Sequence, residues 1–397
     1  STLRFDARPI SRLSRVDELS KLRTSRREAS LAKRRTIAVP VMEQEDDSDD
    51  DFIVRGNNSA ALRRNVIMSS SPTTHSRQAS RFFYYANLLR SRVDSGDIVS
   101  VLFQLKDYVE KRGVTQFSIV SDSGILSILL ELCKHRSDEV VDSALHNIAS
   151  FLCASSDCVT TVLNQGITKT LSSLIQQRSV DIRRLVLYVL ADIAGDRGET
   201  RDYLYDENIV NLVVQMYGMY TNNERILEAL MFLVSNLCRG EPLITYERVI
   251  RFIPIIKEVI QSVSGDSSRA QQQHVEDAIW SVSYIAYNEQ NIPFLKEQGF
   301  ADIALHLLNV LQFSNNINLL KALISMVYQF ICNDTQCALY FFNQQLVTKL
   351  QALMNNTTND QVKYSCVALF SDYVLVPIPA ITVSICQTVL QDTFILY

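Results

Sequence analysis

From Phe82 onward the chain is apolar at helical spacing almost without a break. Apolar side chains recur three and four positions apart, the period of a helix that buries one face. Inside this stretch one motif keeps returning: a few polar residues, then Gly or a substitute, then an apolar helix. It reads "SDSGILSILLELC" at Gly124, "LNQGITKTLSSLI" at Gly166, "YDENIVNLVVQMY" at Asn208, "KEQGFADIALHLL" at Gly299 and "FNQQLVTKLQALM" at Gln345. The intervals are 42, 42, 91 and 46 residues, the long one being two periods with "ERVIRFIPIIKEVI" in the gap. Gly or Asn at this point suits a helix-to-helix turn that needs a positive φ.

A second phase of the same period lies further along each unit. It reads "SALHNIAS" at Asn147, "YVLADIAGD" at Asp192, "FLVSNLCRG" at Asn236, "WSVSYIA" at Tyr284 and "MVYQFIC" at Gln329, with intervals of 45, 44, 48 and 45 residues. A period in the forties with helical patterning alone predicts an all-α fold over residues 82–397, a right-handed helical solenoid of the armadillo or HEAT kind. Each unit cannot bury its apolar faces by itself; stacking on its neighbours completes the core. The second motif also sets a polar residue in the middle of an apolar helix. One such residue alone is a satisfied core amide or a helix-surface position. Recurring at the same phase, these positions line up along one face of a solenoid, where side-chain amides can pair with the backbone of an extended peptide.

Composition narrows this further. With 397 residues and 47% hydrophobic content the core can be large, and only 11 Gly and 8 Pro argue for helices. No run of 18 or more apolar residues occurs, which excludes a helical membrane span on sequence grounds, and no apolar core of a secretory signal opens the chain. The eight cysteines are scattered, several inside apolar patterns (Cys133, Cys238, Cys366), as expected of buried thiols in a reducing compartment. The five histidines lie far apart and no Cys/His cluster has metal spacing. Neither a metal nor any other cofactor is expected. There is no G-x-G-x-x-G, P-loop, G-x-S-x-G or H-E-x-x-H, so the sequence does not read as an enzyme.

Charge sets the first 81 residues apart. Residues 1–40 carry a net charge of +7, residues 43–51 a net charge of −7, and the whole chain −4, which leaves −11 beyond residue 40. A flexible basic tail is thus carried by an acidic body, and "SSSPTTHSRQAS" (69–80) reads as linker. The tail is Arg- and Ser-rich like a transit peptide, but the acidic tract behind it favours another reading. Nucleic-acid binding by this tail is disfavoured, because no Phe, Tyr or Trp for base stacking lies between Phe5 and Phe52.

Three repeats carry a resemblance. "YVLADIAGDRGETRDYL" (188–204), "FLVSNLCRG" (232–240) and "DAIWSVSYIA" (277–286) resemble successive armadillo repeats of importin-α, which read W-A-L-G-N-I-A-G-D, W-T-L-S-N-L-C-R and D-x-x-W-x-x-S-Y. "LRTSRREASLAKRRTI" (22–37) resembles the second half of that family's importin-β-binding segment. The likeness implies a nuclear-import adaptor that shuttles between cytoplasm and nucleus. Its partners would be importin-β, cargo proteins with basic localization signals and an export receptor of the importin-β superfamily, with no direct nucleic-acid contact and no membrane insertion. Carried over by motif, the peptide-clamp positions are Asn147, Asp192 and Asn236, and the ring positions are Ser143, Tyr188 and Phe232. Asp196 matches the acid that takes the key lysine, and Asp277, Trp280 and Tyr284 match nearly unchanged. A lysine stem between rings gains apolar burial and cation–π attraction of roughly 0.5–2 kcal/mol per contact.

The chain also departs from the family. Asp192 stands for Asn, Ser143 carries no ring, and Phe151 to Ser156 read as an insertion. Around Gln329 and Phe370 the ring and amide pairs fade, so little of a second, minor groove is expected. The chain starts at Ser1 and stops before ten repeats are complete, as in a trimmed chain or a short, divergent member. In the tail, residues 1–40 are the expected importin-β-binding and autoinhibitory segment: Arg12, Arg15, Arg23, Arg26 and Arg27 meet importin-β, and Lys33, Arg34 and Arg35 fold back into the groove. Residues 41–81 form the linker with its acidic tract. From Arg35 to Phe82 a flexible chain spans roughly 35–40 Å, which lets even a weak segment compete with cargo. The competing reading is a general armadillo scaffold for other extended or acidic partners.

Overall fold

The computed structural model describes residues 74–386 except 92–93, 115, 264–268, 312–313, 315, 377 and 379. The importin-β-binding and autoinhibitory residues expected at 12–35 lie outside the described residues.

The described elements are helices in a repeating triplet. Ahead of the first full unit stand α1 (Thr74–Ser91) and α2 (Ser95–Arg112). The units are α3 (Phe117–Ser123), α4 (Ile125–Leu132) and α5 (Asp138–Ala154); α6 (Ser156–Asn164), α7 (Ile167–Gln177) and α8 (Val180–Ala194); α9 (Gly198–Asp206), α10 (Ile209–Tyr220) and α11 (Glu224–Leu237). They continue as α12 (Tyr246–Val249), α13 (Ile253–Gln261) and α14 (Arg269–Ala286); α15 (Ile292–Glu297), α16 (Phe300–Val310) and α17 (Ile317–Asn333); α18 (Thr335–Asn343), α19 (Leu346–Asn356) and α20 (Asp360–Tyr373). The third helices α2, α5, α8, α11, α14, α17 and α20 pack each on the next, which makes the fold an armadillo solenoid.

The first sequence motif marks the junction between first and second helices. Gly124, Gly166, Asn208, Gly299 and Gln345 all sit there with φ between 61° and 82°. The unit hidden in the long interval differs: Phe252 takes the junction in a right-handed conformation (φ −83°, ψ −25°), fully buried, and Pro254 opens α13. At Gln345 the left-handed backbone is held by an exposed residue with a Cβ, a conformation costing about 1 kcal/mol outside glycine. Gln345→Gly should therefore raise stability by about 0.5–1 kcal/mol, read as a higher thermal midpoint.

The start of the solenoid corrects the linker reading. Helix α1 begins at Thr74, inside the segment read as flexible. Its Gln78 is buried and donates from Nε2 to the Gly113 carbonyl at 3.0 Å, and Phe82 is fully buried against Tyr108 and Phe151 (ring centroids 5.7 Å in both cases). Tertiary contacts thus hold a helix over a polar, Ser-rich stretch. The third helices share a further device. Asn223, Asn316 and Asn359 precede α11, α17 and α20, and each accepts backbone N–H groups of the first turn through its side chain.

Candidate functional site

Positions four apart on a helix lie on one face. Each third helix therefore presents its polar position and the residue one turn earlier as a pair. These are Ser143 and Asn147 on α5, Tyr188 and Asp192 on α8, Phe232 and Asn236 on α11, and Trp280 and Tyr284 on α14. Because the third helices pack in succession, the pairs form a row. Tyr188 meets Phe232 across two helices (centroids 6.1 Å apart, 54° between planes), and Trp280 stacks on Tyr284 (5.7 Å, 22°). Between α14 and α17 the hydroxyls of Ser283 and Ser325 share a 2.8 Å hydrogen bond. Ser143, Tyr188, Asp192 and Phe232 are half-buried, while Asp277, Trp280 and Tyr284 are buried.

The amides and the acid are largely turned inward. Asn147 is 1% exposed; its Nδ2 donates to the Leu102 carbonyl of α2 and to its own Ser143 carbonyl, both at 2.9 Å. Its Oδ1 is buried with no hydrogen-bond partner. Asn147 thus ties α5 to α2 rather than facing outward. Asn236 donates from Nδ2 to the Phe232 carbonyl at 3.0 Å. A Cβ on Gly195 would lie 2.9 Å from Asn236 Oδ1, so only glycine lets the α8–α9 turn come this close.

That turn also carries Asp196. The Asp196 carboxylate is 1% exposed: Oδ1 accepts from Ser156 Oγ at 2.6 Å and Oδ2 from Arg197 Nε at 2.9 Å. Arg197 also donates from Nη2 to the Ser156 carbonyl (3.1 Å) and to Thr160 Oγ1 (3.2 Å). The bond to Asp196 pushes the Arg197 guanidinium up from its ordinary value. On the other side Arg239 donates from Nη2 to the Gly195 carbonyl at 3.3 Å. The sequence reading did not use Arg197, Ser156 or Arg239, although Arg197 directly follows the acid in the chain.

After Asn147, where the sequence reads as an insertion, α5 is longer than α8 after Asp192 or α11 after Asn236. Helix α5 runs on to Ala154, and Ser155 alone separates it from α6, where the α8–α9 connection is an open turn through Gly195, Asp196 and Arg197. The apolar Phe151, fully buried on Phe82, pulls this last turn of α5 into the core and brings Ser156 to Asp196. Further on, Gln329 Oε1 accepts from Asn333 Nδ2 at 3.1 Å, and Phe370 is buried. Among the described residues no group of three or more His, Cys, Asp or Glu is placed to hold a metal ion, and no helix is long and apolar enough to cross a membrane. Burial pushes the thiols of Cys133, Cys158 and Cys366 up to about 12, which leaves them protonated and inert at neutral pH.

No family model matches the chain. It is 25% identical over 224 residues to importin subunit alpha-1b of Oryza sativa subsp. japonica, covering 56% of this chain and 39% of that protein. It is 25% identical over 248 residues to the probable importin subunit alpha-A of Dictyostelium discoideum (58% and 43% covered), and 23% identical over 288 residues to importin subunit alpha-8 of Arabidopsis thaliana (68% and 60%). These relatives are all importin-α subunits, and the chain is similar to that family at 23–25% identity. The matches span less than two thirds of these importin-α relatives' own length. Among solved structures the fold is similar to a designed armadillo repeat protein, at 20% identity and TM-score 0.52 over 62% of this chain and 99% of that one. It is also similar to an engineered protein at 14% identity and TM-score 0.60, covering 77% and 71%. Both likenesses concern the fold alone.

Proposed function

We propose that this chain is a nuclear-import adaptor. On this reading it binds lysine- and arginine-rich localization segments of cargo in extended form along the row of third helices α5 to α14. Residues 1–40 bind importin-β through Arg12, Arg15, Arg23, Arg26 and Arg27. When free, Lys33, Arg34 and Arg35 occupy the row and compete with cargo; importin-β removes them and so couples loading to carrier binding. The cycle takes the protein between cytoplasm and nucleus, with an export receptor of the importin-β superfamily returning it. The observation that carries the reading is the row itself. Rings from Tyr188 and Phe232 meet and Trp280 stacks on Tyr284 on three successive packed helices, and the turn that carries Asp196 brings Gly195 against Asn236.

A second reading is a general armadillo scaffold for other extended peptides. The inward-turned amides of Asn147 and Asn236 favour it, since they leave fewer groups ready for a peptide backbone. One titration separates the two. A labelled lysine-rich peptide should bind the full chain, and the triple change Lys33→Ala, Arg34→Ala and Arg35→Ala should tighten that binding about tenfold by removing a tethered competitor. Affinity should also fall steadily with salt, because a cationic ligand meets an acidic body. Identical affinity with and without the triple change excludes autoinhibition. Binding indifferent to salt points to the scaffold.

A further inference from the structure

In the described state the carboxylate expected to receive a ligand's lysine is buried and already accepts a hydrogen bond on each oxygen. Both oxygens of Asp196 accept hydrogen bonds, one from Ser156 Oγ at 2.6 Å and one from Arg197 Nε at 2.9 Å. Arg197 is fixed at a second point, because its Nη2 reaches the Ser156 carbonyl and Thr160 Oγ1 across the junction with α6. The arginine thus lies over the acid. Asp196 is 1% exposed, while Arg197 itself is 43% exposed. We infer that Arg197 is a built-in occupant of the cation site at Asp196, so that a lysine-bearing peptide enters only by displacing it. This deepens the peptide-binding reading above and rests on it.

Three features of the site support the exchange. First, a guanidinium on a carboxylate is the same charge-assisted pairing that a ligand's ammonium would make, so the two compete for one acceptor. Second, a further cation is close by, since Arg239 donates to the Gly195 carbonyl on the same turn. An incoming lysine that left Arg197 in place would meet two guanidinium groups around a single carboxylate. Third, the arginine has somewhere to go. Its outer side faces solvent, and Asp157 and Glu199 both act on it electrostatically from α6 and α9. Displaced from Asp196, it stays within an acidic field and needs no buried rearrangement. Binding at this site is then weaker than the acid alone would give, and it opens when Arg197 is drawn away.

The test is a titration of one lysine-rich peptide against the full chain and its variants Arg197→Ala, Arg197→Lys, Asp196→Asn and the double change Asp196→Asn with Arg197→Ala. Arg197→Ala should bind up to about fivefold tighter than the unmodified chain, as for release of one partly exposed ion pair. Arg197→Lys should stay within about twofold, because it keeps a cation within reach of the acid. In the Asp196→Asn background the gain should vanish. A gain that persists there reports general charge only and overturns the inference, as does weaker binding by Arg197→Ala. Equal binding by the unmodified and Arg197→Ala chains overturns it while leaving the peptide-binding reading standing. Absence of binding to every form overturns both. Thermal midpoints of all five proteins confirm folding; Arg197 lies at the surface, so Arg197→Ala should melt normally.

Discussion

Arg201→Ala should destabilise the solenoid by about 3–5 kcal/mol, the range for removing one partner of a buried charged network. Arg201 is 1% exposed and fastens the α11–α12 connection to α9. Its Nη1 donates to the carbonyls of Arg239 and Gly240 at 3.0 and 3.2 Å, and its Nη2 to that of Pro242 at 2.8 Å. Alanine strands these carbonyls and empties the volume of a long side chain; each unsatisfied group alone costs about 1–3 kcal/mol. Asp202 loses one partner but keeps Arg248 at 2.8 Å, which limits the damage on that side. Arg201→Lys should recover only part, since a point charge cannot reach three carbonyls as a planar fork does. The same seam is tight at Gly198, where a Cβ would lie 1.8 Å from the Glu241 carbonyl oxygen. Denaturant unfolding of Arg201→Ala measures the effect; a loss below about 1 kcal/mol would show that the connection is held by its apolar contacts instead.

Asp196→Lys should weaken binding of a lysine-rich peptide by more than about 2 kcal/mol, since it replaces the carboxylate on the α8–α9 turn with a third cation beside Arg197 and Arg239. Ser156 and Arg197 lose their acceptor in the same step, and Arg239 remains close by. Asn236→Ala removes a single amide and should cost about 1–2 kcal/mol. The contrast between the two variants is the informative quantity, measured by fluorescence anisotropy on proteins shown to melt alike. Unchanged binding by a folded Asp196→Lys protein would move the cation site elsewhere along the row.

The period of the solenoid could be read directly, because the left-handed turn recurs in nearly every unit and limits the residue there. The substitutes Asn208 and Gln345 adopt the backbone of Gly124, Gly166 and Gly299. Phe252 escaped the pattern because its turn is right-handed, and polarity leaves no trace of that. The start of α1 was hidden for a different reason: Thr74 to Ser80 have little intrinsic drive to form a helix, and Gln78 and Phe82 supply it through partners tens of residues away. At the candidate site, the period put Asn147, Asp192, Asn236 and Tyr284 on one row, and the resemblance to importin-α repeats added Tyr188, Phe232 and Trp280. Direction was not legible. Whether Asn147 faces outward depends on Leu102, 45 residues earlier, and Asp196 is claimed by Ser156, 40 residues earlier. Side-chain orientation here is a tertiary property, set by whichever backbone group the neighbouring repeat offers.

The succession of third helices has a thermodynamic consequence. Each helix touches the one before and the one after, so the structure behaves as a line of coupled segments and its stability as a sum along that line. Helices α8, α11 and α14 are clasped from both sides, whereas α20 packs on α17 and leaves Tyr364 and Val367 largely in water. Among the described third helices, amide protons should therefore exchange faster in α20, which another third helix clasps on one side, than in α11, which is clasped on both. A ligand lying across several repeats would clamp neighbouring segments together. Its occupancy should be readable as slowed exchange deep in the solenoid, well before any change in overall shape.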